Sequence, residues 1–208
     1  MEVGYHTFPS GKRYTYVKKD EKLIFLRNII FLTKPNDLHR IVVVREWAAN
    51  NNRSVWEPPK GQMEWKEFAG SRIQAGDIIS SKTLLQEMKK GVLREMIEEA
   101  KIIRKDLHNI ECLDMRYIQA WDDAGIPNAY FMYQFWHATI TDKALSEAQK
   151  DMETLVQNVD LNHALPKDLV EKDAVTWWTP KNGWDRIRTG FSKKMTRMYF
   201  DYLEKHGV

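Results

Sequence analysis

The hydrophobic pattern divides the chain into short alternating runs and two long amphipathic ones. "KRYTYVK" (12–18) alternates polar and apolar residues and predicts a strand. "RNIIFLTK" (27–34) and "HRIVVVREW" (39–47), rich in β-branched residues and joined by the turn-forming "PND", predict two more. From about Ser80, "SSKTLLQEMKKGVLREMIEEAKIIRKDL" carries a helical period. Leu85, Met88, Val92, Met96 and Ile103 approximate one apolar stripe, and Thr83 with Gln86 matches a helix-start capping pattern. Gly91 interrupts this stripe and marks a kink or a break. "DMRYIQAW" (114–121) and "NAYFMYQFWHATI" (128–140) predict strands on either side of the turn "DDAGIP" (122–127). The second is apolar on both faces, as a doubly covered strand is. Residues 141–172 read as mixed helix and loop, and "AVTWWTP" (174–180) as a short strand. A terminal amphipathic helix is expected at about 190–206, ended by Gly207. Several strands, a helix, more strands and a last helix predict an α/β (α+β) fold, a mixed β-sheet with helices packed on it in a single domain over 1–208.

Composition narrows this only a little. An apolar fraction of 43% is ordinary for a globular chain. No apolar run approaches the ~18 residues that span a bilayer, and no apolar core precedes a cleavage site at the N-terminus, so a cytoplasmic protein with no membrane partner is expected. The one cysteine, Cys112, excludes an intramolecular disulfide and a Cys-based metal cage. The formal charge of +3 is small, but residues 1–55 hold ten Lys/Arg against five Asp/Glu, and the last 28 hold seven against three. Basic ends around a more acidic middle suit a metal site facing a polyphosphate, and equally suit ordinary solvated charge.

Two stretches carry chemistry. "EPPKGQMEWKE" (57–67) has two consecutive prolines, which exclude a helix interior or a central strand and shape a loop. "REMIEEA" (94–100) sets Glu95, Glu98 and Glu99 at helical spacings of three and four, so the carboxylates can share one face. Hard divalent cations such as Mg²⁺ take oxygen ligands of this kind together with substrate phosphates. Taken alone, the same turn is also a solvated charged helix face.

Together the two stretches resemble the halves of the Nudix box, the signature of the Nudix hydrolases. Gly61 and Glu67 have the family's spacing, Glu64 falls where many members carry an acid, and Arg94, Glu95, Met96, Glu98, Glu99 and Ile102 match the second half position by position. "WEPPKG" is similar to the lead-in of dinucleoside-polyphosphate hydrolases, and Pro-Lys-Gly also occurs in decapping relatives. Two departures stand out. Twenty-six residues separate Glu67 from Arg94 where the family has seven, an insertion at about 68–93. The family's final glycine, which normally ends the helix, is Lys101 here, which fits a helix running on to about Arg104.

The resemblance implies an αβα sandwich and a Mg²⁺- or Mn²⁺-dependent pyrophosphohydrolase. Glu95, Glu98 and Glu99 would hold metal, with the Gly61 carbonyl as a further ligand, and Glu67 would pair with Arg94 to hold helix and loop in register. The family often adds an acid before a late strand. Glu171 and Asp173 both qualify, with Glu171 preferred. Lys60 and Arg45 would contact phosphates. The substrates favoured are a dinucleoside polyphosphate or 5′-capped RNA. The rival reading is a catalytically silent Nudix-fold module, RNA-binding or regulatory. Tyr130, Tyr133 and Phe135 could stack a base but read first as core.

Overall fold

A computed structural model describes residues 1–47, 56–68, 70–122, 125–162 and 171–207; residues 123–124 of the expected "DDAGIP" turn lie outside them. Among the described residues the fold is α+β, with nine strands and three α-helices. The strands are β1 (Glu2–Thr7), β2 (Arg13–Lys19), β3 (Lys22–Lys34), β4 (Asp37–Glu46), β5 (Trp56–Glu57), β6 (Lys60–Gln62), β7 (His108–Ala120), β8 (Ala129–Thr139) and β9 (Lys172–Trp178). The helices are α1 (Ser81–Ala100), α2 (Asp142–Asn162) and α3 (Phe191–His206). The registered ladders are antiparallel, and an isolated Trp56–Ile187 bridge is parallel, so strand directions are mixed.

The chain forms two compact units. The first comprises Met1–Ile29, Lys60–Arg94 and Cys112–Trp136. Here β1 pairs with β2, β2 with the start of β3, and β6 lies on β3 with Gly61 opposite Asn28. Met63 is wedged between two strands: its N–H reaches the Leu26 carbonyl and its carbonyl accepts from Thr15 N–H, both at 2.9 Å. The proline loop is therefore stitched to strands on both sides. Much of the insertion is equally well anchored. Val3 N–H donates to the Asp77 carbonyl at 2.9 Å and Gly76 N–H to the Val3 carbonyl at 2.8 Å, so residues 76–78 run along the open side of β1. From Ser81 onward the insertion is helix, the N-terminal turns of α1.

That helix starts at Ser81, where the periodicity predicts, but its cap differs from the expected one. Ser80, not Thr83, is the cap: its Oγ accepts from Thr83 N–H at 3.1 Å. The buried stripe is Leu84, Met88, Val92 and Met96, so Leu84 takes the place expected of Leu85. α1 runs through Gly91 without a break. Gly91 is there for clearance, since a Cβ would lie 3.1 Å from Asn28 Nδ2 and 3.7 Å from the Glu67 carboxyl. Asn28 cannot move aside easily, because it donates to the Met88 carbonyl at 3.2 Å and accepts from Trp136 Nε1 at 2.9 Å.

The second unit comprises Ile30–Pro59, Glu95–Glu111 and His137–Val208. β4 is sandwiched between β5 and β9, with Val44 opposite both Glu57 and Val175. Ile41 to Val44 are all fully buried. α3 ends at Gly207 as the sequence predicted, in the left-handed conformation at φ 67°. Its Met195, Tyr199 and Leu203 recur every four residues on the buried face, and the Tyr199 ring stacks on Phe31 at 4.1 Å.

The C-terminal end of α1 corrects the sequence reading. The helix stops at Ala100 rather than near Arg104, and Lys101 itself takes φ 57°, the conformation a glycine would supply. Ile102 N–H then closes on the Met96 carbonyl at 3.0 Å, and Lys101 Nζ caps the Glu98 carbonyl at 2.8 Å. The reversal buries Ile102 and leaves Ile103 exposed, so the stripe does not extend to Ile103.

Candidate active site

In the first unit, the pairing that the motif implies is present despite the insertion. Arg94 Nε donates to Glu67 Oε1 at 2.6 Å, and an Arg94 terminal nitrogen donates to the Gln62 carbonyl at 3.0 Å. Glu64 adds a looser contact to Arg94 at 3.9 Å. One guanidinium thus ties α1 to both the proline loop and the short 3-10 turn Trp65–Phe68 that carries Glu67. Glu67 is nearly inaccessible, and burial pushes its pKa up although Arg94 pulls it down. The two influences oppose, and burial outweighs the short contact. Gly61 and Lys60 lie on β6 of the same unit, partly exposed.

In the second unit, Glu95 and Glu99 are buried on successive turns of α1, while Glu98 faces solvent. Glu99 does not stand alone. The Lys172 ammonium lies 3.2 Å from Glu99 Oε1 and 2.8 Å from Glu57 Oε1. Glu57 is fully buried, accepts a 2.7 Å bond from Ser192 Oγ, and has Arg188 at 3.7 Å. Burial alone would lower the pKa of Lys172, but Glu99 and Glu57 more than offset it and hold the ammonium above the ordinary lysine range. Lys101 brings charge from the other side of the turn. Burial lowers its pKa, against the opposing fields of Glu98, Glu171 and Glu99, which places those three acids within electrostatic reach of one ammonium.

The remaining candidates separate. Glu171 is exposed, and its backbone carbonyl accepts from Trp47 N–H at 2.9 Å. Asp173, the other candidate acid, is held by Arg45 at 2.7 Å, and the Arg45 guanidinium lies 5.6 Å above the Trp56 ring. Arg45 and Asp173 therefore engage each other. Tyr133 and Phe135 are buried core, whereas Tyr130 is half-exposed under Lys22. Sequence reasoning missed Glu57, Lys172 and Ser192. Lysine is rarely buried, so nothing in the sequence marks Lys172 as part of a site. The usable signal was Glu57 itself, an acid directly before two prolines at the end of a strand.

Among the described residues no group of three or more His, Cys, Asp and Glu side chains is gathered closely enough to hold a metal ion. The donor chemistry is still the kind a hard divalent cation takes: carboxylate oxygens on successive turns of one helix, two of them buried, with an ammonium already drawn to 3.2 Å from Glu99.

Comparison with protein-family models found no match, and neither did comparison with curated proteins. Solved structures do show likeness. The Nudix domain of Shewanella oneidensis NrtR complexed with ADP ribose is 12% identical with a TM-score of 0.48, covering 90% of this chain and 94% of that one. A Nudix hydrolase from Nitrosomonas europaea is 14% identical with a TM-score of 0.47, covering 99% and 89%. The Caenorhabditis elegans Ap4A hydrolase is 11% identical with a TM-score of 0.42, covering 86% and 98%. In this chain the two halves of the Nudix-box pattern, separated by 26 residues in sequence, meet in space through Glu67 and Arg94.

Proposed function

We propose that this chain is a single-domain Nudix hydrolase, a divalent-metal-dependent pyrophosphohydrolase acting on a nucleoside diphosphate linked to another group. The observation that carries this reading is the Arg94 guanidinium bound to Glu67 and to the loop carbonyl of Gln62, directly before the Glu95–Glu98–Glu99 turn. Mg²⁺ or Mn²⁺ would be held by Glu95, Glu98 and Glu99, with the Gly61 carbonyl as a further donor. When bound, such a cation neutralises a pyrophosphate and lowers the pKa of a water. The chain's own residues set up the rest. Arg94 fixes the entry of the acidic turn, Lys101 ends it, and Glu171 supplies a solvent-facing carboxylate near Lys101 that can orient or accept a proton from the attacking water. Lys60 is the phosphate contact we favour. The same role for Arg45 requires it to leave Asp173. The Pro-Pro-Lys-Gly loop and the basic ends favour a dinucleoside polyphosphate or 5′-capped RNA as substrate.

Lys172 on Glu99 is the observation that favours the second reading, a silent Nudix-fold binding module. The test is a substrate panel including diadenosine tetraphosphate, ADP-ribose and capped RNA with Mg²⁺ or Mn²⁺. Metal-dependent turnover that falls about 100-fold or more in Glu99→Gln is expected, the usual scale for losing one group that stabilises developing charge. Absence of turnover across the panel would establish the silent module instead.

A further inference from the structure

We infer that Lys172 is a built-in counter-cation of the acidic site, holding Glu57 and Glu99 together when no divalent ion is present and weakening the site's affinity for that ion. The inference rests on Glu99 being a metal ligand, as proposed above. Its own support is geometric. Lys172 is 5% exposed, and its ammonium bridges a carboxylate of α1 to a fully buried carboxylate of β5, at 3.2 and 2.8 Å. Two buried carboxylates at such a site repel each other unless a cation lies between them. Ser192 donates to the far oxygen of Glu57, and Arg188 approaches Glu57 only to 3.7 Å from a half-exposed position. Lys172 thus contacts Glu57 on the oxygen that Ser192 leaves open, and reaches Glu99 with the same ammonium.

A positive charge beside a metal ligand opposes a second positive charge arriving there. Lys172 therefore acts as a positioning residue that spares the empty site its own repulsion and sets how much metal is needed to load it. The ion does not have to displace the lysine completely. It has only to draw Glu99 away from it.

The test uses Mn²⁺ binding measured calorimetrically on wild type, Lys172→Met, Lys172→Arg and Glu99→Gln. Lys172→Met should bind Mn²⁺ at least tenfold more tightly than wild type, Lys172→Arg should stay near wild type, and Glu99→Gln should bind weakly. Because Lys172→Met risks misfolding, a second measurement uses the unmodified protein. The buried Lys172 ammonium is followed by ¹⁵N NMR during Mg²⁺ addition, and its resonance should shift and saturate in step with binding. Wild type binding metal while Lys172→Met binds no more tightly, or while the ammonium signal stays still, would overturn the inference and leave the metal-site reading intact. Failure of both wild type and Lys172→Met to bind would overturn that reading, and this inference with it.

Discussion

Lys101 stands where a glycine is expected and adopts a glycine's backbone, which makes it a sharp test of how α1 ends. The informative comparison is Lys101→Gly against Lys101→Ala. Both remove the Nζ contact to the Glu98 carbonyl, so that loss cancels. What remains is the backbone at φ 57°. A residue with a Cβ pays roughly 1–2 kcal/mol to sit there. Glycine avoids that cost but brings about 0.4–1 kcal/mol of extra freedom to the unfolded chain. The glycine variant should therefore exceed the alanine variant by roughly 0.5–1 kcal/mol, or about 1–4 °C in Tm for a chain of this size. Urea unfolding at constant ionic strength measures it. If α1 instead ran on in helical conformation to Arg104, the sign would reverse, with alanine favoured by about 1 kcal/mol. An alanine variant equal to or more stable than the glycine one would refute the left-handed stop.

Other expectations are independent of that one. Arg94→Ala strands the buried Glu67 carboxylate and should cost about 3–5 kcal/mol in chemical denaturation, while Glu67→Gln, whose ionised form burial already disfavours, should cost less. Gly91→Ala gains helix propensity of about 1 kcal/mol but drives a Cβ against a pinned Asn28, so a net loss of roughly 1 kcal/mol is expected by thermal melting. His137 bonds Thr33 at 2.9 Å and Glu111 at 3.1 Å, and burial lowers its pKa despite Glu111. A lowered histidine pKa favours the neutral ring in the folded state. The stability it contributes is complete above pH 6.5 and is lost as pH falls from there toward the depressed value. Urea titrations from pH 7.5 to 5 should show this slope in wild type and a flatter one in His137→Gln.

The sequence reveals the elements where one physical rule dominates. β-branched runs gave β3 and β4, and the four-residue recurrence of Met195, Tyr199 and Leu203 gave α3. The Glu67–Arg94 pair was legible only through the resemblance of the two stretches to the Nudix box, since 26 residues separate them in sequence. The end of α1 was not, because its decisive feature is a backbone angle that lysine adopts against its preference. Gly91 was misread for a related reason: its role is set by Asn28 and Glu67, which are far away in sequence. Lys172 was hidden because nothing local marks a lysine for burial. Only the meeting of β5, β9 and α1 makes that burial tolerable.

The 76–78 segment along β1 has a consequence for solubility. A terminal strand with unpaired N–H and C=O groups is a template for another chain's strand. By occupying Val3 on both its donor and its acceptor, the insertion closes that template from within the same molecule. A variant with 70–79 replaced by a short linker could still bring Glu67 to Arg94, yet it would expose β1 and should self-associate in light scattering. The long detour between the two motif halves therefore also serves as an edge guard.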